Sequence, residues 1–437
     1  MANHRHTTFS ALCLFMGLLF LLVCQSARAD VAPGDVVDKT NWQKAEGLLP
    51  DVVLDLVKQG KIKINVGKLG FTPEDYLRDH IRETLKSNVG KYYVDDEGVL
   101  RDTATKQTPM TYVGIPFPVV DPKDPKAGYY PQYNMHWNRM SCDSPKFKQR
   151  MGWVGKGGLE KTVENSVLAG AWASPPWKDV PNPEKFEMTM INMITAPYDV
   201  AGTAMMMWQR AGGREDDNYA YVPAIRRCRR MSPTGRSDSM FGSDFTADDI
   251  AVDNMPTEDG TWKFIGTKEM LVPFLSPDKP VNLIKQADGS FKVDTTSFAG
   301  AKFGFDVKGW DGAPWAVTNW TWVKRMVHVS EMVPKDKYYN ASKSQLFYDA
   351  KTTIIAAKVV WDRGGKQWRV LMGGAYALST PDKSWSIMDG NAGMFAYDML
   401  ADHASVNWGI HETTEAMYSF PFAPSDFTLA GFVKFCK

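Results

Sequence analysis

Residues Gln345–Met372 read QLFYDAKTTIIAAKVVWDRGGKQWRVLM, and this stretch decides the fold class. Gln345 to Tyr348 and Thr352 to Val360 are runs of β-branched and aromatic residues, the composition that fits a pleated, half-buried surface. Arg363-Gly364-Gly365-Lys366 is a turn signal, and Gln367-Trp368-Arg369-Val370-Leu371-Met372 returns from it, which makes a hairpin. Upstream, Trp320 to Val329 is a long run of the same kind, while Phe186-Glu187-Met188-Thr189-Met190 and Trp262-Lys263-Phe264-Ile265-Gly266 alternate in the period of a strand. Nothing alternates helix with strand in the way that builds a parallel sheet. From about Asn134 onward the chain therefore predicts one large, curved antiparallel sheet with helices packed on it.

The earlier part of the chain differs. Leu48, Leu49, Val52, Val53, Leu56 and Val57 recur at helical spacing within Asn41–Gly60, and Gly60 is placed to stop the helix. A second short helix is expected from Pro73, with Glu74 and Asp75 in its first turn, to Leu85. Val113 to Tyr130 is proline-rich and reads as extended coil. The expected division is 1–29 as a signal peptide, 30–130 as a helical and extended region, and 131–437 as the strand-rich body, the last two forming one structural unit.

The signal reading rests on a basic stretch, His4-Arg5-His6, an apolar run from Ala11 to Val23, and the small residues of Ala27-Arg28-Ala29 before a cut at Asp30. The apolar run is about 13 residues, short of the roughly 20 that cross a bilayer. Val23 before Cys24 disfavours lipid attachment to that cysteine. The expected compartment is the periplasm of a Gram-negative bacterium, with the mature protein soluble. A net charge of +1 argues against a general binder of nucleic acid. Cys142, Cys228 and Cys436 remain after cleavage and allow one disulfide by any of three pairings.

Catalytic signatures are scarce. The chain has no G-x-S-x-G elbow, no Walker A loop and no H-E-x-x-H zinc pair. His80, His136, His328, His403 and His411 are far apart in sequence, and His411-Glu412 with Glu415 is a weak candidate for part of a metal site. The expectation is a protein that is not an enzyme and has no cofactor and no metal. Aromatics and methionines are plentiful instead, with 15 Trp, 16 Tyr, 22 Phe and 23 Met. Most fill a core, but flexible methionine also suits an apolar cavity for ligands of irregular shape. The expected cavity residues are Met206, Trp208, Tyr221, Trp262, Phe264, Trp320, Trp322, Tyr348, Trp361 and Trp368, a choice of sheet face that a one-residue slip in register reverses.

One segment combines acids and bases. Tyr219, Tyr221, Pro223 and Ile225 share a face if the chain runs on as a strand into Arg226-Arg227-Cys228-Arg229-Arg230. Arg226, Arg227 and Arg229 are the expected polar rim, with Asp244, Asp248 and Asp249 nearby to supply carboxylates, or an anionic headgroup or partner protein in their place. Tyr219 through Arg230, followed by Gly242-Ser243-Asp244-Phe245 and Asp249, resembles the strand-loop signature of the LolA/LolB periplasmic lipoprotein carriers. Gly114-Ile115-Pro116-Phe117-Pro118, Asn134 to Asn138, and the hairpin from Tyr348-Asp349 through Trp361-Asp362 to Trp368-Arg369-Val370 resemble a long family of unknown function that is outer-membrane lipoprotein-sorting-like. The likeness covers most of the chain, but the apolar close at Phe432 to Cys436 departs from it.

The resemblance implies a LolA-like incomplete antiparallel β-barrel covering helices, mainly β with helices (α+β), and an apolar cavity between sheet and helices. It implies a periplasmic binding or transfer protein for a hydrophobic or lipid-like ligand. The partners it implies are an inner-membrane exporter of the resistance-nodulation-division type and an outer-membrane protein. The alternative is a non-catalytic envelope scaffold with no bound lipid, and behind it an enzyme acting on a hydrophobic compound.

Overall fold

The computed structural model describes residues 30–174, 177–390, 393–409 and 416–436. The expected signal peptide, and His411, Glu412 and Glu415, lie outside the described residues. No described helix is long and apolar enough to cross a membrane.

The frame is a ribbon of antiparallel strands: β1 (Lys146–Gly155), β2 (Gly158–Ala171), β3 (Phe186–Ala196), β4 (Ala204–Arg210), β5 (Asp217–Val222), β6 (Arg227–Arg230), β7 (Gly260–Phe274), β8 (Thr321–Pro334), β9 (Ala341–Asp349), β10 (Ile355–Asp362), β11 (Gln367–Gly373), β12 (Met394–Asp398) and β13 (His403–Gly409). The pairing runs from β7 through β13 in sequence order, then β13 pairs β1 and the series continues to β6. Among the described residues β6 and β7 do not pair, although they follow one another in the chain. The barrel is therefore incomplete, and its opening lies where residues 231–259 pass from one edge to the other. The fold is mainly β with a few helices, as the hairpin at Gly364-Gly365 foretold; Gly365 takes the left-handed conformation (φ 81°) that the turn needs. In β7, Ile265 bulges between Phe264 and Gly266, which bends an otherwise long edge strand.

Alternate residues of each strand face opposite cores. The outer face of β10 to β13 (Ala357, Val359, Val370, Met372, Phe395, Ala404, Val406) packs against the N-terminal region, where α1 (Asp51–Lys58) contributes Val52, Val53, Leu56 and Val57. The helix expected over Asn41–Gly60 is this shorter one, preceded by a 3-10 turn at Trp42–Ala45 and stopped at Gly60. The helix expected from Pro73 to Leu85 is broken: a 3-10 turn at Pro73–Tyr76 gives way to extended backbone at Leu77 and Arg78, and α2 (Asp79–Ser87) starts afresh.

The inner face wraps a helix that the sequence reading missed. In α3 (Tyr130–Arg139), every residue from Tyr130 to Asn138 is buried. A helix enclosed on all sides has no polar face, so it shows no amphipathic stripe; only Pro131 in its first turn hints at a start. The side chains of Gln132, Asn134, His136 and Asn138 are each matched. Gln132 donates to Asp253 (2.7 Å) and accepts from the Tyr348 hydroxyl (2.7 Å), Asn134 bonds both backbone groups of Phe117, Asn138 donates to Thr352 O and Thr353 Oγ1, and His136 meets Glu187 at 3.0 Å. Polar groups without partners in such a place would each cost about 1–3 kcal/mol.

The loop between β6 and β7 is held inside by charge. Lys358, from the inner face of β10, lies between Asp249 (2.9 Å) and Asp253 (2.8 Å). Arg369 of β11 also bridges Asp249 (2.7 Å), and Arg236 bridges Asp216 and Asp248 (2.6 Å). The paired cations hold Asp249 down at about 2, against the opposing effect of its burial. The Asp248 and Asp249 carboxylates thus serve Arg236, Lys358 and Arg369, and the Asp244 carboxylate bonds His403 and Ser405 at 2.7 Å each. They do not serve the Arg226–Arg230 run as expected, because the loop turns inward rather than lying along the rim. The same run is also not one strand with Tyr219: a 3-10 turn at Pro223–Ile225 and left-handed Arg226 fold β6 back on β5.

Lys358→Met leaves two buried carboxylates without their shared cation. The expected loss of stability is about 3–5 kcal/mol, read as a lower urea midpoint. Lys358→Met combined with Asp253→Asn should recover part of it; no recovery would place the ion pairs outside the loop's anchorage.

Candidate functional site

Between the inner faces of β1, β2 and β3, the C-terminal end of α3 and the inward loop lies a cavity of about 270 Å³. That is near the lower end of the range for small-molecule pockets, roughly 300–1,000 Å³. The sheet contributes Phe147, Gln149, Val167, Ala169, Met188, Met190 and Asn192, and the loop contributes Met240, Phe245, Ile250 and Asn254. The far wall is an annex of short strands (Val281–Lys285, Phe291–Val293, Tyr376–Ser379, Ser386–Asp389 and Met417–Tyr418), which adds Val293, Tyr376, Ile387, Met388 and Met417. Methionine recurs on every wall, as the composition suggested, and its unbranched thioether adapts to a ligand's outline.

Local sequence explains the lining. Ala169 pairs with Met190, and Met190 with Met207, so one row of the register crosses three strands on the inner face. With this row, Val167, Met205 and Ala247 form a single apolar cluster. The loop reaches the cavity through two consecutive left-handed residues, Ala251 (φ 55°) and Val252 (φ 73°). That conformation is strongly disfavoured for β-branched valine, and such strain persists only where surrounding contacts over-determine it. Here Val252 is buried in the inner core and the neighbouring Asp249 and Asp253 are clamped by Lys358.

None of the ten residues expected to line a cavity borders this one. Met206, Trp208 and Tyr221 face outward by one step of register and pack beneath α4 (Leu429–Phe435), against Phe427, Phe432 and Cys436. Trp208 donates from Nε1 to the Phe427 carbonyl (2.8 Å). Trp320, Trp322 and Trp361 belong to the outer core with α1. Trp262, Phe264, Tyr348 and Trp368 do lie in the inner core around α3, at a distance along the sheet from the cavity's walls. The large aromatics expected at the cavity sit in the cores instead, while the cavity is lined by methionines, by small residues such as Ala169 and by other aromatics such as Phe147, Phe245 and Tyr376. Arg226, Arg227 and Arg229 are exposed on the edge strand β6 and its approach and do not line the cavity either.

Among the polar groups at the cavity are Asn138, Arg139, Asp249, Asn254, Tyr376 and Asp389. Asp389 accepts from the Tyr418 hydroxyl at 2.9 Å. Cys142 also lines the cavity, and burial pushes its thiol up to about 12, so it is a neutral, weakly reactive group there. Cys142, Cys228 and Cys436 are all free. Among the described residues no three His, Cys, Asp or Glu side chains are grouped to hold a metal ion.

Residues 36–431 match the family described as protein of unknown function DUF1329, and the chain belongs to this family. None of the curated proteins matches it in sequence. The solved structures similar to it include the following three. One is a DUF1329 family protein from Desulfovibrio piger, with 16% identity, a TM-score of 0.46, and 71% of this chain and 100% of that one covered. A domain from Vibrio parahaemolyticus, assigned to outer membrane lipoprotein sorting, has 15% identity, a TM-score of 0.45 and the same coverage. A LolA superfamily protein from Nitrosomonas europaea has 13% identity and a TM-score of 0.38, with 66% of this chain and 91% of that one covered.

Met206→Ala should lower stability by about 2–5 kcal/mol and leave uptake of a solvatochromic apolar dye unchanged. Ala169→Phe, which enters the cavity, should block the dye. Urea titration and dye fluorescence read both; loss of dye uptake in folded Met206→Ala would reverse this assignment of the two sheet faces.

Proposed function

We propose that this DUF1329 protein is a periplasmic carrier that binds a hydrophobic or lipid-like molecule in the cavity and passes it between envelope proteins. The observation that carries the reading is an apolar cavity enclosed by the sheet's inner face and by a loop fastened with buried ion pairs. Such a wall can stay open without collapsing, because the groups that hold it are engaged elsewhere. The resemblance of the Tyr219–Asp249 segment to the lipoprotein carriers' signature points the same way.

The driving force is burial. Each methylene transferred from water contributes about 0.8 kcal/mol, offset by the ordering of ligand and side chains. Affinity of this kind has no direction of its own, and the sequence holds no nucleotide-binding loop to supply one. Direction then comes from partners: an inner-membrane exporter of the resistance-nodulation-division type as donor and an outer-membrane protein as acceptor. The reading assigns the chain no catalytic step.

A scaffold that bridges envelope proteins without carrying lipid is the second reading. It draws on the basic edge, where Arg226, Arg227, Arg229 and Arg230 are exposed beside the partly exposed apolar side chains of Val222, Ile225 and Met231. Both readings use that edge for contact, so the cavity separates them.

Protein purified from periplasm should yield co-purified lipid by native mass spectrometry and bind a fluorescent fatty-acid probe. Met190→Trp, filling the cavity, should lose the lipid and weaken probe binding at least about tenfold, a difference of ~1.4 kcal/mol, with little change in unfolding midpoint. Replacing Arg226, Arg227 and Arg229 together by serine should reduce partner capture and spare the probe. Wild-type protein with neither lipid nor probe affinity would leave the scaffold standing and the carrier refuted.

A further inference from the structure

Among the described residues, three cations around the inward loop are paired with carboxylates and a fourth, Arg139, is not. Arg236 bridges Asp216 and Asp248, Lys358 bridges Asp249 and Asp253, and Arg369 bridges Asp249. Arg139, the last residue of α3, forms no ion pair among the described residues. Its Nη1 donates to the backbone carbonyl of Asp253 (3.0 Å), and its Nε is buried with no partner. The Asp253 carboxylate is occupied by Lys358 and by Gln132. Arginine stays protonated at any ordinary pH, and its five donors in a planar fork match a carboxylate or phosphate. A guanidinium whose Nε is shut off from water with no partner is costly, and Arg139, half-buried as a whole, lines the cavity.

We propose that the ligand is amphipathic, with an anionic carboxylate or phosphate head received by the Arg139 guanidinium and an apolar chain lying along the methionine-lined sheet wall. This rests on the carrier reading and adds the chemistry of the ligand's polar end. Position supports it: Arg139 sits where α3 ends and Met188 and Met190 lead away on β3. Three other charged groups line the cavity: Lys148, half-buried on β1, Asp249 and Asp389. Asp249 is engaged by Lys358 and Arg369, and Asp389, which would repel an anion, is drawn to Tyr418 on the annex wall. Burial lowers the proton affinity of Arg139, in keeping with a site where the charge awaits a counter-charge.

The test uses full-length mature protein freed of lipid, titrated calorimetrically with dodecanoate, dodecyl phosphate and dodecanol, which share one chain and differ in the head. Wild type should bind at least one of the two anions about ten- to hundredfold more tightly than dodecanol, the range of a charge-assisted hydrogen bond. The better of the two names the head as carboxylate or phosphate. Arg139→Met should lose that preference and keep its dodecanol affinity. Arg139→Lys, which retains the charge without the fork, should keep a part of the preference and guards against a folding defect in the first variant. Dodecanol binding as tightly as both anions in wild type, or an undiminished preference in Arg139→Met, overturns the inference and leaves the carrier reading intact. Binding of none of the three overturns the carrier reading and this inference with it.

Discussion

Lys358 is an ammonium on the inner face of a central strand, where water does not reach, and the structure is arranged around supplying it with carboxylates. Asp249 and Asp253 answer it, and both belong to the segment joining the two unpaired edges of the barrel. A loop that crossed the opening over the surface would leave Lys358 and Arg369 unpaired inside. Drawing it inward satisfies them together, and the desolvation of each charge is offset only because its partners arrive with hydrogen bonds already formed. Thr246 illustrates this: its backbone N–H and hydroxyl both donate to Asp249 at 2.9 Å, so the carboxylate is oriented before a cation reaches it.

The cavity follows from that constraint. With the loop fixed from β10 and β11, its apolar residues Phe245 and Ile250 are presented toward β1 to β3 at a set distance, and α3 prevents the sheet from closing further. The left-handed pair Ala251 and Val252 is the local expense of bringing Asp249 and Asp253 to one lysine from a short span of chain. An ordinary apolar contact would relax such strain by shifting. Two ion pairs to a side chain rooted in a sheet do not shift easily, and so the cavity keeps its volume.

The fold was largely legible because strands and hairpins announce themselves locally. The Gly364-Gly365 turn, the run from Trp320 and the alternation at Phe186 each produced a strand where expected, and their antiparallel order needed no long-range information. The site was less legible, for a physical reason. Which of two alternating faces meets the cavity depends on what covers each, and that is decided by residues hundreds of positions away. Met206 and Met207 are equivalent in sequence; the C-terminal helix covers the first and the inward loop the second. α3 was missed because burial on all sides erases the periodicity that reveals helices. The arginine run was visible as a motif, but its carboxylates were assigned by nearness in sequence, while Arg236, Lys358 and Arg369 had the stronger claim through burial.

The apolar C-terminus, which fitted the family resemblance least, is explained by the same two-sided logic. A sheet that holds a cavity on its inner face cannot leave the outer face bare, since Met206, Trp208 and Tyr221 would form a large exposed patch. Thr428 caps α4 by accepting from the Gly431 amide, and the helix then lays Phe432 into that patch, while the Trp177 and Trp208 indoles hold the approach through the Phe422 and Phe427 carbonyls. The inner and outer coverings are unlike in kind. Outside, Trp177, Phe427 and Phe432 pack closely against the sheet's own side chains. Inside, charge fixes a loop at a distance and leaves space lined largely by methionine, with Arg139 at its wall unmet by a carboxylate among the described residues. A sheet of this breadth with both faces packed by aromatics would be a core alone; the substitution of ionic anchorage for close packing on one face is what turns it into a container.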